Sequence, residues 1–486
     1  MKHTRHVFII SDLHIGGEYP KTSPEGTESR GFRMMNHAPD LVRFISLLAD
    51  RPADGTAIEL VINGDFVDFL AEPVGEKDPA KWIPFRDDPI QARDAFRALV
   101  KRDQLIFDEL ARLLHNGHTL TILLGNHDIE LSLPSVRKVL EETLEVSGRH
   151  RLRFLYDNEG YKVGDALIEH GNRYDIFNWV DHDLLRQFRS VQSRGMKPAE
   201  YAVRFPPIVG SQLVTEVMNP LKVDYPFVDL LKPEREAVLP LLRILMGGYM
   251  GQLGRILKAA RILAPVVRRR LKKVHPNLKG AIAAQGAPSS PIGERVAAFL
   301  AALGDLDHLP GQLGNIAAPA LSVGLERAQP APPDEVLRKN LPKLLEALQI
   351  LKDDMSFSDT IETQTSYLDA AEELSSSGEF RYVIFGHTHL AKKVRLKTGA
   401  LYLNSGTWAG LMQIPESIFA GTEAARQELE RFVKGIRDNK FQDWIQYRPT
   451  FIRLCLGQND KVTQADLLDF KRSGPFDPPE QVVQDF

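Results

Sequence analysis

Seven side chains stand at five places where an apolar run stops: Asp12 and His14, Asp65, Asn126, His170, and His387 and His389. Carboxylate, amide and imidazole groups offer oxygen and nitrogen donors. Such a set suits first-row divalent ions, Mn²⁺ above all and Fe or Zn²⁺ as alternatives, better than Ca²⁺ or Mg²⁺, which take mostly oxygen. Asp65 has two oxygens and could bridge two ions about 3.5 Å apart, the spacing of two-metal hydrolases. His127 and Asp128 follow Asn126 without a gap. Gly125 in front of them permits a sharp turn.

The elements that must position these residues are short apolar strands. Sequence pattern predicts strands over 7–10 before Asp12, 58–62 before Asp65, 119–124 before Asn126, 166–169 before His170 and 381–385 before His387. A buried strand that delivers polar side chains at its C-terminal end is where open α/β sheets place their sites. Strand alternation would put Asp12 and His14 on one side of the chain. Helical apolar spacing covers 40–49, 90–115 as one long helix ended at Gly117, 135–146, 334–353, 359–377 and 422–439. Further strands are expected over 152–156 and 449–456, and a hairpin over 394–404, with an extended tail after Gly474.

The 486-residue chain is long enough for two or three domains, and its 43% apolar and 26% charged content is that of a globular protein. A net charge of −3 argues against a globally basic nucleic-acid binder. Cys455 is the single cysteine, so an internal disulfide and a cysteine-built zinc site are excluded. Without a signal-peptide pattern or an apolar run of bilayer length, the chain reads as cytoplasmic, with contact to a membrane surface left open.

The order Asp12-x-His14, Gly64-Asp65, Gly125-Asn126-His127-Asp128, His170, Gly386-His387-Thr388-His389 resembles the calcineurin-like metallophosphoesterases, over roughly 7–175 and 381–456. The resemblance implies a four-layer α/β/β/α sandwich interrupted by a large, mainly helical insert. Its domains would be a catalytic core of 1–175 and 380–456, an insert of 176–379 and a tail of 457–486. The resemblance also implies two divalent ions. One would be held by Asp12, His14, Asp65 and His389, the other by Asp65, Asn126, His170 and His387. His127 would meet the leaving group, with Asp128 orienting it. The chemistry suits the residues: two cations would neutralise phosphoryl oxygens and acidify a bridging water, giving a hydroxide that attacks phosphorus in line. The leaving alkoxide would take a proton from His127, whose ordinary pKa near 6.5 suits acid catalysis.

Phe69 stands where Ser/Thr protein phosphatases of this kind carry a phosphate-gripping arginine, and Asp128 where their third motif ends in Glu. The Gly-Asn-His-Asp form is more similar to bacterial phosphodiesterases, nucleases and nucleotide pyrophosphatases. Within the insert, 237–293 contains ten Lys and Arg and neither Asp nor Glu. An apolar stripe from Leu253 to Leu271 runs through it, with small-residue and proline-rich linkers at 280–293 and 328–333. Three readings stay open for the insert. It is a self-contained helical subdomain, a lid or membrane-surface contact for an anionic, partly apolar substrate, or a basic channel for nucleic acid. The second resembles the helical insert of UDP-diacylglucosamine pyrophosphatases. The favoured activity is hydrolysis of a phosphodiester or pyrophosphate linkage in a bulky anionic molecule, lipid- or nucleotide-linked. A nuclease and a catalytically silent metal-binding scaffold are the alternatives. Arg30 and Arg33 read as solvated surface and His182 as an ordinary residue; Arg173 and Tyr174 are near enough to His170 to reach a phosphate, with surface packing the favoured reading, and 404–408 reads as a structural turn near the site.

Overall fold

The computed structural model describes residues 5–18, 21–22, 28–29, 33–50, 56–74, 81–146, 151–175, 177–196, 200–245 and 333–477. The stripe from Leu253 to Leu271, both proposed linkers apart from Pro333, most of the basic stretch and Arg30 lie outside these residues. The chain divides into two compact units. One is formed by 1–234, 353–414 and 442–486, the other by 235–352 and 415–441. Much of the expected insert, 176–234 and 353–379, therefore belongs with the unit that carries the candidate ligands.

In that unit the first sheet has six strands. They are β1 (Arg5–Ile10), β2 (Ala57–Asn63), β3 (Thr119–Leu123), β4 (Arg151–Leu155) and, far along the chain, two C-terminal strands. The second sheet has five: β5 (Tyr161–Val163), β6 (Ala166–Ile168), β7 (Tyr382–Phe385), β8 (Lys392–Arg395) and β9 (Leu401–Asn404). The C-terminal strands of the first sheet are β10 (Thr450–Leu456) and β11 (Val462–Asp469). The orders are β11-β10-β1-β2-β3-β4 and β8-β9-β7-β6-β5. Strands β1 to β4 are mutually parallel, as are β6, β7 and β9. Their C-terminal ends are in register, with Ile10 opposite Ile62 and Asn63 opposite Leu123.

These strands read as unbroken apolar runs because both of their faces are covered. Phe8, Ile10, Leu60, Ile62, Leu120 and Ile122 pack with the helices α1 (Ala38–Ala49), α2 (Pro89–Arg102), α3 (Gln104–His115) and α4 (Pro134–Thr143). Val7, Ile9, Val61 and Leu123 share a second cluster with Ile168, Ile384 and Leu403 of the other sheet. That sheet's other face, with Val383, Phe385 and Tyr402, packs on Tyr367, Ala370 and Ala371 of α6 (Thr365–Ser375). Helix α5 (His182–Ser193) adds Leu185, Phe188 and Val191 to the first cluster.

Several expectations change. The single helix over 90–115 is two, broken at Asp103, which caps the end of α2 and the start of α3. Asp103 receives a buried two-pronged ion pair from Arg33 at 2.7 and 2.9 Å, so Arg33 is a brace and not a solvated side chain. The sheet continues past Leu456 into β11, whose half-polar sequence hid an edge strand. Residues 359–364 are not helical. Residues 356–361 wrap the buried Lys392, whose ammonium donates to the carbonyls of Ser356 (2.5 Å), Ser358 (2.7 Å) and Ile361 (2.8 Å).

In the second unit the helix Asp334–Leu348 packs on the helix Glu423–Arg437. Asp334 pairs with Lys434 and Arg437, both at 2.7 Å, and Arg338 with Glu430 at 2.8 Å. Among the described residues no helix is long and apolar enough to cross a membrane.

Candidate functional site

Each parallel strand hands its chain to a loop at the same edge, and the loops carry the polar residues. Asp12 and His14 follow β1, Asp65 and Asp68 follow β2, and Asn126, His127 and Asp128 follow β3. From the second sheet, His170 follows β6, and His387 and His389 follow β7. Asp12 and His14 do not face one way through strand alternation, since β1 has already ended at Ile10. Both are left-handed, with φ of 53° and 45°. So are Asp65 (47°), His387 (68°) and His389 (65°). Each such non-glycine residue costs on the order of 1–3 kcal/mol, so five at one place mark a functional site. Backbone bonds between loops offset that strain. His14 N–H donates to Asp65 O (3.0 Å), Ile15 N–H to Phe66 O (3.1 Å), Asp68 N–H to Ile15 O (2.9 Å) and Gly386 N–H to His170 O (2.9 Å). At Gly125 a Cβ would sit 2.2 Å from Asp65 Oδ1. The motif needs glycine there so that one loop can lie against the carboxylate of another.

The side chains converge. Nitrogen and oxygen atoms of Asp12, His14 and His389 lie within 4.8 Å of one another, and so do those of Asp65, His170 and His387. The two His Nε2 atoms of His14 and His389 are 3.0 Å apart. Asp65 stands between the groups: its Oδ2 is 3.3 Å from His170 Nε2 and 3.8 Å from His14 Nε2. Among the described residues, Asn126 Oδ1, His170 Nε2, His387 Nδ1 and His389 Nδ1 are buried without a hydrogen-bond partner. Buried polar atoms are rarely left so, and all four are good divalent-cation donors. His170 shows how such a donor is aimed. Its Nδ1 pairs with the Asn63 carbonyl at 2.8 Å, which leaves Nε2 for the cluster.

Charge balance in the metal-free chain is consistent with that crowding. Burial opposes ionisation of Asp65, but His170, His127 and His14 outweigh it and hold its pKa well below the usual carboxylate range. Burial likewise opposes a proton on His170, and the charges of Asp65 and Asp12 lift it to about 10. Burial raises Asp12. In His389, burial together with Lys232 and His14 disfavours the protonated ring.

His127 has a different place. Its side chain is 17% exposed, more than His14, His170, His387 or His389, which suits a group that meets substrate. Its Nδ1 is 3.1 Å from Asp68 Oδ1. Burial opposes protonation, but Asp68 and Asp65 outweigh it and raise the pKa to about 9. The expectation that Asp128 orients this ring does not hold. Asp128 accepts the backbone N–H groups of Gly125 (2.7 Å) and Phe66 (2.8 Å), clamping two loops together. Burial and the nearby Asp65 raise its pKa to about 8. Asp68 was visible as the acid three residues after Asp65, but which carboxylate reaches the ring depends on loop geometry. Asp68 also caps the turn at Phe69–Ala71.

The sequence model of the calcineurin-like phosphoesterase family matches residues 5–225. Over that span the chain matches a calcineurin-like phosphoesterase domain. Comparison with curated proteins returns no match. The matched span ends before His387 and His389, yet the fold brings both beside the candidate donors of that span. Around these candidate donors, Thr407 Oγ1 donates to Asp12 O (2.6 Å), and Asn404 Nδ2 to Gly386 O (2.8 Å) and Thr388 Oγ1 (3.1 Å). The turn at 404–408 thus fixes the first and last motifs. Arg173 is engaged with Asn158 and Glu169, and Tyr174 donates to Glu169, so both are occupied in packing. Two further residues, Asp175 and Asn178, reach His387 and Asn126, and no spacing rule had singled them out. The family and the clustered donors together support a metal-dependent phosphoesterase.

Proposed function

We propose that the chain is a dinuclear phosphoester hydrolase that cleaves a phosphodiester or pyrophosphate linkage. The observation that carries the reading is the position of Asp65, whose Oδ2 stands between His170 and His14, one from each donor cluster. Asp12, His14, Asp65 and His389 would hold one divalent ion, and Asp65, Asn126, His170 and His387 the other, with Mn²⁺ the first candidate. Bound there, the ions would supply charge neutralisation on the phosphoryl oxygens and acidify water. The packing of two sheets with helices outside them supports the four-layer α/β/β/α arrangement.

The chain's own residues do the rest. Asp68 keeps the Nδ1 proton of His127 engaged at 3.1 Å, so the ring presents Nε2 to the substrate. As the P–O bond breaks, His127 gives its Nε2 proton to the leaving oxygen. Asp128 and the Gly125 turn keep the His127 loop against Asp65. The substitution of arginine by a wholly buried Phe69 supports a diester or pyrophosphate over a phosphoprotein. The substrate we favour is bulky and anionic, lipid- or nucleotide-linked. The test is turnover of bis(p-nitrophenyl) phosphate and p-nitrophenyl phosphate by the Mn²⁺-loaded protein. Faster diester hydrolysis is expected. Silence on both, with metal confirmed bound, would leave a metal-binding scaffold instead.

A further inference from the structure

Directly after His170 the chain turns through Asn172–Tyr174 to Asp175. Asp175 Oδ1 accepts the Phe177 N–H at 2.9 Å. Its Oδ2 accepts Asn178 Nδ2 at 2.9 Å and faces His387 Nε2 at 3.3 Å. Asn178 Oδ1 in turn accepts Asn126 Nδ2 at 3.3 Å. At the far end of this chain Asn126 Oδ1 and His387 Nδ1 are buried and unpartnered.

The sense of these bonds is forced. An ionised carboxylate only accepts, so Asn178 must turn its NH₂ toward Asp175 and its oxygen toward Asn126. Asn126 must then turn its NH₂ toward Asn178, which leaves Oδ1 facing the donor cluster. The same carboxylate takes the Nε2 proton of His387 and leaves the Nδ1 lone pair free. One negative charge therefore fixes which atom of two different donors can reach a cation. Asn178 is itself held: its N–H donates to Asp175 O, and its carbonyl receives Asn172 Nδ2 at 2.9 Å. The short helix Val209–Leu213 closes over it, with Gly210 so near that a Cβ would lie 1.9 Å from Asn178 Oδ1.

We propose that Asp175, acting through Asn178 on Asn126 and directly on His387, is the positioning residue of the metal position shared by Asp65, Asn126, His170 and His387. The inference rests on the dinuclear reading above. It assigns no contact with substrate to either residue.

The experiment is Mn²⁺ titration of the full chain, followed by calorimetry and by electron paramagnetic resonance, with the unfolding midpoint of the metal-free protein measured alongside. The native chain should bind two Mn²⁺ and show a coupled pair. Asn178→Ala should weaken one of the two events by about 10- to 100-fold, leave the other in place, and replace the coupled signal by that of an isolated ion. Gly210→Ala, which touches no donor, should act in the same direction by displacing the Asn178 amide. Asp175→Ala, which removes the carboxylate oxygen that both arms share, should do so more strongly. Titrations that match the native chain would overturn the proposal. So would equal weakening of both events with a lowered unfolding midpoint, the mark of a merely structural role. A native chain that binds two Mn²⁺ but hydrolyses no phosphoester would refute the activity and leave this inference to the variants. A native chain that binds fewer than two would refute both.

Discussion

Replacing Asp68 by Asn removes one charge from behind His127 and sets an NH₂ where Oδ2 now lies 3.5 Å from His14 Nδ1, so bound metal is measured alongside turnover. Asp68 Oδ1 accepts the N–H groups of Leu70 (3.0 Å) and Ala71 (3.1 Å) as well as facing His127 Nδ1 at 3.1 Å. An amide oxygen can keep all three contacts, so the turn should survive. A hydrogen bond to a charged group is worth about 1.5–3 kcal/mol and a neutral one about 0.5–1.5. The difference, roughly 1–1.5 kcal/mol, is a loss of about 5- to 13-fold in kcat where proton donation limits the rate. The assay compares diphenyl phosphate with bis(p-nitrophenyl) phosphate. Phenolate is the poorer leaving group and needs the proton more, so its loss should be larger. Asp128→Asn is the control. It sets an NH₂ against one of two backbone donors and should cost about 1–3 kcal/mol of stability without a leaving-group signature. Equal losses on the two substrates in Asp68→Asn would refute the reasoning, as would a leaving-group signature in Asp128→Asn.

Asp65→Asn should reduce bound Mn²⁺ from two to at most one and abolish turnover, checked by metal analysis after gel filtration; two retained ions would contradict the bridging role. His182 bears on acid stability, since burial, with Arg173 and Arg189 adding to it, lowers its pKa to about 3. The unfolded chain takes up that proton near pH 6.5 and the folded chain does not. Its contribution is therefore fully present above pH 6.5 and is lost at about 1.4 kcal/mol per pH unit on going down toward pH 3. His182→Leu should flatten that slope, so urea midpoints at pH 7.5 and pH 5 should differ less than in the native chain; parallel shifts would count against it. Lys392→Met leaves three carbonyls without their donor and should cost about 3 kcal/mol or more, with faster proteolysis across 353–364; an unchanged urea midpoint would show the cradle to be incidental.

What could be read from the sequence follows from how the parallel strands are buried. Because β1, β2 and β3 are covered on both faces, a polar residue that interrupts them is conspicuous, and Asp12, Asp65 and Asn126 stood out for that reason. The same argument singled out His170 and His387 as candidates. It could not find which acid meets His127, because Asp68 and Asp128 are both adjacent to motif residues and the choice is made by left-handed loops. The break at Asp103 depends on Arg33, 70 residues earlier in the chain, and no local periodicity reports that. β11 escaped because an edge strand carries polar residues along its length. Asp175 and Asn178 escaped because their function depends on partners at 126 and 387.

The order of the first sheet has a consequence for synthesis. β1 lies between β2 and β10, and Ile9 pairs with Ile452. At about 5–20 residues per second, roughly twenty to ninety seconds separate the appearance of these two partners on a ribosome. During that interval β1 offers an unpaired edge, the kind of template that invites strand addition by another chain. Five of the seven donors would already be made, while His387 would have been out for only the last few seconds. The nascent chain therefore spends most of its synthesis as an incomplete sheet beside an incomplete cluster; the loop after β7 completes the cluster, and β10 closes the sheet about 3 to 13 seconds later.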